Sequence, residues 1–527
     1  MITPSLLTPS LLAAPTLILS ILAQVELWQR KEYRVDRLLA SRREPAVRQR
    51  ITIYILALIV TIASAPLALV VLAGTHVWRL LTRGLFRPVM TPKALLALAA
   101  ATALNLAVVG LLLARTAPAT AWAATLLLSP FATTVAVMLT RALAAARKHQ
   151  IITRARELRI KQPGLAVIGI TGSYGKTSTK HFLAQLVPNA VATKEHRNAE
   201  FPVAQDMLEQ LPARPAGGPT KPNIYIVEMG AYKPGEIAAL ARLTQPRIGV
   251  ITAIGNQHLA TFGSQENILS AKWELIDALP ENGIAVLNDD DQRIHNKARK
   301  LNAPLASPRE ARGRSGDKGG LGGVLLYSSK KPADIYAENS TIEPRHITCR
   351  LHIQQTVREV TIPLAGDAAL ANVVAAVAAA TALGVAAEQI FARLAFLKPF
   401  PRTMEIKTGT GGATIIDDSY SANEQSVLAA LRHLHRFPEP DKRIVLVPLI
   451  ELGSEAAAVH QRLGEAIQQA GVSAYVYGTA QQAALGLLAF TQPEELLAAI
   501  TKNISPQTVI LLEGRLPEDI RQALVRK

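Results

Sequence analysis

The chain has 527 residues, 49% of them hydrophobic, with 57 Lys+Arg against 40 Asp+Glu and one cysteine. That much apolar material excludes large-scale disorder, and a lone Cys349 excludes a disulfide framework or a cysteine-rich metal site. The net charge of +17 is not evenly spread: 20 basic and 5 acidic residues lie through Lys161, which leaves 37 and 35 for the rest, so no nucleic-acid partner is expected.

Four apolar segments come first, at Leu6–Leu27, Ile51–Ala73, Ala94–Ala114 and Ala121–Leu139. Each is close to the ~20 residues that cross about 30 Å of hydrocarbon. Glu26 and Trp28 end the first at an interface, and it lacks the basic start and small-residue cleavage site of a signal peptide. Pro66 is placed to kink or break the second. Residues 1–150 are therefore expected to form transmembrane helices, three or four in number, in contact with membrane lipid. The stretch "WQRKEYRVDRLLASRREPAVRQR" carries eight Lys+Arg and "RALAAARKHQIITRARELRIK" follows the fourth segment; both mark a cytoplasmic side. Three intervening spans cannot satisfy both. Either one segment is re-entrant or interfacial, or the first basic stretch breaks the rule.

After Lys161 the pattern changes. "LAVIGI", "NIYIVEMG", "RIGVITAIG" and "GIAVLN" read as strands, followed by a helix-rich stretch through Gly384, then "ATIIDDSY", "RIVLVPLI", "SAYVYG" and "TVILLEG". Strands and helices alternating at this spacing predict an α/β fold with largely parallel sheets. "PARPAGGPTKP" and "SPREARGRSGDKGGLGG" are loops, the second long enough to be mobile. A boundary near Pro399–Arg402 separates a central domain, 151–400, from a C-terminal Rossmann-like α/β domain, 401–527.

The central stretch is "ITGSYGKTSTK", residues 170–180. A strand, a tight glycine turn and a helix start present backbone N–H groups and a helix dipole to phosphate. Lys176 supplies a charge for the outer phosphates and Thr177 a hydroxyl for Mg²⁺, with Thr171, Gly172, Ser173, Tyr174, Gly175 and Ser178 completing the cradle. Ile170 stands where the strict P-loop consensus has its first glycine.

The spelling Thr-Gly-x-x-Gly-Lys-Thr resembles the Mur ligases, ATP-dependent amide-bond enzymes of bacterial cell-wall synthesis. "IVEMGAYKPGEIAAL", "VITAIGNQHLATFGSQENILSAKWELIDALPENGIAVLNDDD" and "IIDDSYSANEQSVLAAL" are similar to blocks of its MurF branch, in the same order. The resemblance implies ATP and Mg²⁺ as cofactors, with Glu228 and His258 as metal ligands and Lys272 as a lysine that the family carbamylates into an anionic ligand. It also implies that Asn372 contacts the base, Arg402 reaches the phosphates, and Asp417 and Asp418 contact ribose or orient the C-terminal domain. His460 resembles a histidine of the branch.

Three departures stand out. Ala368 and Ala369 replace a usual His-Asn pair, "LLEGRLPEDI" replaces a common Lys-Gly-Ser-Arg, and transmembrane helices replace the soluble domain that grips the uridine nucleotide. The expected activity is a membrane-anchored, MurF-like ligase working through an acyl phosphate on a UDP- or lipid-linked cell-wall acceptor with an amino acid or dipeptide. Its ligase part is expected on the cytoplasmic face of the inner membrane. A transporter or signalling ATPase would call for ionisable residues in the spans, and a non-catalytic scaffold would not retain Lys176, Thr177, Glu228, His258 and Lys272 together.

Overall fold

A computed structural model describes residues 4–30, 45–83, 88–212, 223–255, 262, 264–301, 322–449, 456–478 and 485–525. The chain divides into two compact units, Met1–Gln150 and Ile151–Lys527.

The first unit is helical: α1 (Pro4–Arg30), α2 (Pro45–Ala63), α3 (Ala65–Arg83), α4 (Pro92–Leu113) and α5 (Pro118–Ile160). Among the described residues, three stretches are long and apolar enough to cross a membrane, Pro9–Gln29, Pro92–Leu113 and Pro118–Ile160. The segment over Ile51–Ala73 is broken at Ser64, next to the proline expected to kink or break it. Pro66 explains the break, because it offers no N–H to Ile62 and its ring crowds that carbonyl. Polar side chains pin α5 beside α1 in the same direction: Trp122 to Ser10 at 3.1 Å, Ser20 to Ser129 at 3.3 Å and Trp28 to Thr134 at 3.3 Å. Leu17, Val25, Trp28, Leu72 and Leu126 are buried between helices, whereas Ile62 is 84% and Phe131 72% exposed. Apolar side chains thus face outward as well as inward, as in a helix bundle whose solvent is hydrocarbon.

The described residues of the second unit hold two sheets. The larger runs β2-β3-β1-β4-β5-β6-β7-β8-β9, with β1 (Ala166–Thr171), β2 (Ala190–Ala192), β3 (Ile224–Glu228), β4 (Ile248–Ile251), β5 (Ile284–Asn288), β6 (Gly323–Ser328), β7 (Ile335–Ile342), β8 (Ile347–Ile353) and β9 (Thr356–Ile362). It is parallel through β7, then antiparallel. The stretch expected to be helix-rich up to Gly384 contains four strands after a short helix, Gln292–Ala298. In β8 the buried Ile347, Cys349, Leu351 and Ile353 alternate with less buried residues, a period of two that only one covered face produces.

Helix α6 (Lys176–Leu186) follows β1, α7 (Gln265–Asp277) follows β4, and α8 (Asp367–Ala382) follows β9. Residues Val373 to Ala380 of α8 are at most 1% exposed, and their small side chains let it lie close against α6 and the sheet. The second sheet runs β10-β11-β15-β12-β13-β14, with β10 (Glu405–Thr408), β11 (Thr414–Asp418), β12 (Asp441–Leu446), β13 (Ser473–Tyr477), β14 (Ala489–Phe490) and β15 (Thr508–Glu513). Only β10 is antiparallel to its neighbour. The mixed α/β class with a second, Rossmann-like sheet is the one expected.

Candidate functional site

The phosphate loop joins β1 to α6, and two glycines make it possible. Gly172 has φ +151° and Gly175 has φ +83°. A Cβ on Gly172 would lie 2.0 Å from Thr252 Oγ1, and one on Gly175 2.4 Å from Asn372 Oδ1. The segment after β4 holds the loop in place: Thr252 Oγ1 donates to Tyr174 O at 2.5 Å, Ser173 N to Ala253 O at 2.8 Å, and Gly255 N to Ser173 Oγ at 3.0 Å. Thr171 Oγ1 donates to Met229 O at 2.8 Å, tying the loop to the end of β3. Ile170 is fully buried as the last core residue before the turn, so the missing first glycine costs the loop no turn geometry.

Lys176 folds back and donates to the carbonyls of Gly172 (2.7 Å) and Ser173 (3.2 Å). Burial lowers its pKa, with Glu228 opposing. Both carbonyls are acceptors that phosphate oxygens would replace as partners of the ammonium.

Glu228 ends β3 almost fully buried. Its Oε1 accepts from Thr177 Oγ1 at 3.1 Å and Asn198 Nδ2 at 3.4 Å, and its Oε2 lies 3.0 Å from Lys180 Nζ. Burial pushes its pKa up, but Lys180 and Lys176 outweigh burial and hold it below the usual range. A Mg²⁺ ion with oxygen ligands at about 2.1 Å has neighbouring ligands roughly 3.0 Å apart around its octahedron. The 3.1 Å between Thr177 Oγ1 and Glu228 Oε1 fits one such edge.

Lys272, on α7, is 2% exposed and has no hydrogen-bond or ion-pair partner among the described residues. Desolvation, helped by Lys176, lowers its pKa to about 7. A lysine amine in that environment is a nucleophile at neutral pH. His258 lies outside the described residues.

Asn372 reaches Gly175 from α8 and shares with Ser178 a small cleft lined also by Ala368, Ala369, Phe400 and Met404. Ala368 and Ala369, in place of a His-Asn pair, make this wall apolar. Arg402 stands over the ring of Tyr420 at 5.5 Å. Tyr420 in turn stacks on His196 at 5.8 Å and meets Phe400 edge-on at 4.8 Å. Burial, then the nearby charges of Glu228 and Glu195, push Tyr420 up to about 12. The linker is strained: Arg402 has φ +60° and Met404 φ +46°. Both N–H groups are satisfied, Arg402 by Glu405 at 2.9 Å and Met404 by Asp418 at 3.1 Å.

Asp417 and Asp418 are buried within the C-terminal sheet. Asp417 accepts from Ser419 Oγ at 2.5 Å and pairs with Lys407 (3.3 Å) and Arg521 (3.4 Å). Asp418 is in register with Glu513 on β15. Burial, then Asp417, pushes Asp418 up to about 7, and burial with Asp418 holds Glu513 well above the carboxylate range. His460 is a core histidine: Leu449 N donates to its Nε2 at 3.0 Å and its Nδ1 meets Ala456 O at 2.6 Å.

Lys180, Asn198, His196 and Tyr420 were not singled out from the sequence. Lys180 was legible, because it lies four residues after Lys176 on the same helix face.

Comparison with known proteins agrees with this layout. Residues 170–380 match the Mur ligase middle domain and residues 402–516 the Mur ligase, glutamate ligase domain. The UDP-N-acetylmuramoyl-tripeptide–D-alanyl-D-alanine ligase of Mycobacterium bovis is 34% identical over 327 residues, 59% of this chain and 58% of that protein. The chain thus spans less than two thirds of that relative's length. The ligase of the same description from Mycobacterium leprae is 30% identical over 67% of this chain and 71% of its own. The crystal structure of MurF from Acinetobacter baumannii superposes with a TM-score of 0.60 at 25% identity, over 71% of this chain and 79% of that one. The chain belongs to the Mur ligase family.

Proposed function

We propose that the protein is a membrane-anchored, ATP-dependent amide ligase of peptidoglycan-precursor synthesis, similar to MurF. The observation that carries this reading is the gathering of Lys176 and the Thr177–Glu228 oxygen pair at the phosphate loop, with the buried Lys272, which has no partner among the described residues, in electrostatic reach of Lys176. In the proposed reaction a carboxylate oxygen of the acceptor attacks the γ-phosphorus of ATP, and the bond to ADP breaks. The incoming amine nitrogen then attacks the acyl carbon, loses a proton, and phosphate departs with the electrons of the broken C–O bond. The residues of the chain position and screen charge. The loop N–H groups and Lys176 hold the phosphates, and Arg402 approaches them from the C-terminal domain. Mg²⁺, held by Thr177, Glu228 and His258, would neutralise phosphate charge and orient the transferring group. Carbamylation of Lys272 would turn a buried cation beside Lys176 into an anionic oxygen ligand.

The outward apolar faces of the first unit support an anchor in the inner membrane, and the need for ATP places the ligase on the cytoplasmic side. There the acceptor is a UDP- or lipid-linked peptide, and the amine an amino acid or dipeptide. The stretch "LLEGRLPEDI", in the place where the family commonly has Lys-Gly-Ser-Arg, is the reason the amine is left as an amino acid or a dipeptide.

The test is a substrate screen of the full chain in detergent with ATP, Mg²⁺, soluble and lipid-linked acceptors, and a panel of amino acids and D-dipeptides. Phosphate release and product mass are read together. Lys176→Ala should abolish both; unchanged turnover would remove the loop from the mechanism.

A further inference from the structure

The first unit carries its basic residues in four places. Residues 28–50 hold eight Lys+Arg against three Asp+Glu, and residues 79–93 hold four against none. The turn between α4 and α5 holds Arg115, and the end of the unit holds Arg141, Arg147 and Lys148.

Contacts between helices fix the levels of these segments. The Gln29 side chain, at the end of α1, accepts from Val89 N at 2.8 Å and donates to Val89 O at 2.9 Å, so the α3–α4 connection lies level with the exit of α1. Trp28 reaches Thr134, seven residues before Arg141, and Lys93 in the first turn of α4 is within electrostatic reach of Arg141. At the far end of the bundle Trp122 meets Ser10, close to the turn that carries Arg115. Helices α1 and α5 therefore run one way and α4 the other.

What remains is the path of α2 and α3, which begin after α1 has exited and end at the level of that same exit. An uninterrupted crossing would leave the two connections at opposite levels. The helix is broken at Ser64, and its apolar parts, Thr52–Ala63 and Ala65–Trp78, are each shorter than a full span. We propose that α2 and α3 enter and leave the bilayer by the same face, the one at which α1 exits and near which Arg141 lies. Two crossings, α4 and α5, then separate the α3–α4 connection from Arg141, and an even number returns the chain to the same side. Both basic stretches become cytoplasmic, as lysine and arginine bias requires. The proposal rests on the membrane reading above and adds the sidedness of each connection.

Single cysteines placed in a Cys349→Ser background test it: Ala40→Cys before α2, Leu85→Cys after α3, and Ala117→Cys in the α4–α5 turn. In intact cells a membrane-impermeant thiol reagent should label only Ala117→Cys, at least tenfold above the other two, and all three should react after lysis. Labelling of Leu85→Cys from outside with Ala40→Cys protected would overturn the same-face path while leaving the anchor intact. Protection of all three, together with release of the chain from membranes by alkaline carbonate, would overturn the anchor and the path with it.

Discussion

Carbamylation of Lys272 can be tested without any turnover. With a pKa near 7 instead of the ordinary 10.5, its amine is ~70% neutral at pH 7.4, against ~0.1% for a surface lysine, a several-hundredfold excess of the form that attacks CO₂. The same drop corresponds to about 5 kcal/mol between the charged and neutral forms, and its first cause is the desolvation that also shields a carbamate from water. The full chain in detergent, equilibrated with ¹³C-labelled CO₂ at fixed dissolved concentration, should show a carbamate carbon by NMR. Its intensity should rise through pH 7, because the neutral amine appears as pH passes the lowered pKa. Lys272→Met should lack the signal while surface lysines contribute almost none. A signal that persists in Lys272→Met, or one whose midpoint lies near pH 10, would refute the reasoning.

Gly175→Ala should lose ADP binding by at least tenfold in calorimetry, since the new Cβ meets Asn372 Oδ1 in a backbone conformation that alanine avoids. Lys180→Met leaves Glu228 buried with its nearest cation removed, a change costing about 3–5 kcal/mol, and should lower the thermal midpoint clearly more than Lys180→Arg. Glu513→Gln should matter most at alkaline pH. The raised pKa values of Asp418 and Glu513 stabilise the fold fully below the unfolded carboxylate range, and the Asp418 share is lost as pH rises through about 7. The variant should therefore gain thermal stability over the native chain from pH 7 to 9, and a constant difference across that range would contradict the buried pair.

The α/β class, the phosphate loop and the order of the site segments were readable in the sequence because each rests on local signals. Strand-turn-helix chemistry around Gly172 and Gly175 is contained in six residues. Strand β8 was missed because its less buried positions are polar, as Thr348, Arg350 and His352 in "ITCRLHI", and only the covered face shows the period. Long-range partners were out of reach for a different reason. Nothing local says that Tyr420 stacks on His196, a ring contact between loops 224 residues apart, or that Glu513 lies beside Asp418, which sheet register brings together across 95 residues. His460 shows the converse: a residue that resembles a functional histidine by position proves to be held by backbone on both ring nitrogens.

The junction at Arg402 bears on how the chain can be divided. By composition the stretch from Pro399 to Arg402 is the natural place to sever one domain from the other. Its backbone says otherwise, because Arg402 donates to Glu405, Met404 donates to Asp418, and Tyr420 N donates to Arg402 O at 2.9 Å. A C-terminal fragment beginning after Thr403 would lose the acceptor for Tyr420 N and free Met404 from the left-handed turn that aims its N–H at Asp418. Each orphaned group costs about 1–3 kcal/mol where water cannot replace the partner. A fragment that is to fold alone must therefore start ahead of Phe400, whose carbonyl accepts from Thr403 N and whose ring packs on Tyr420.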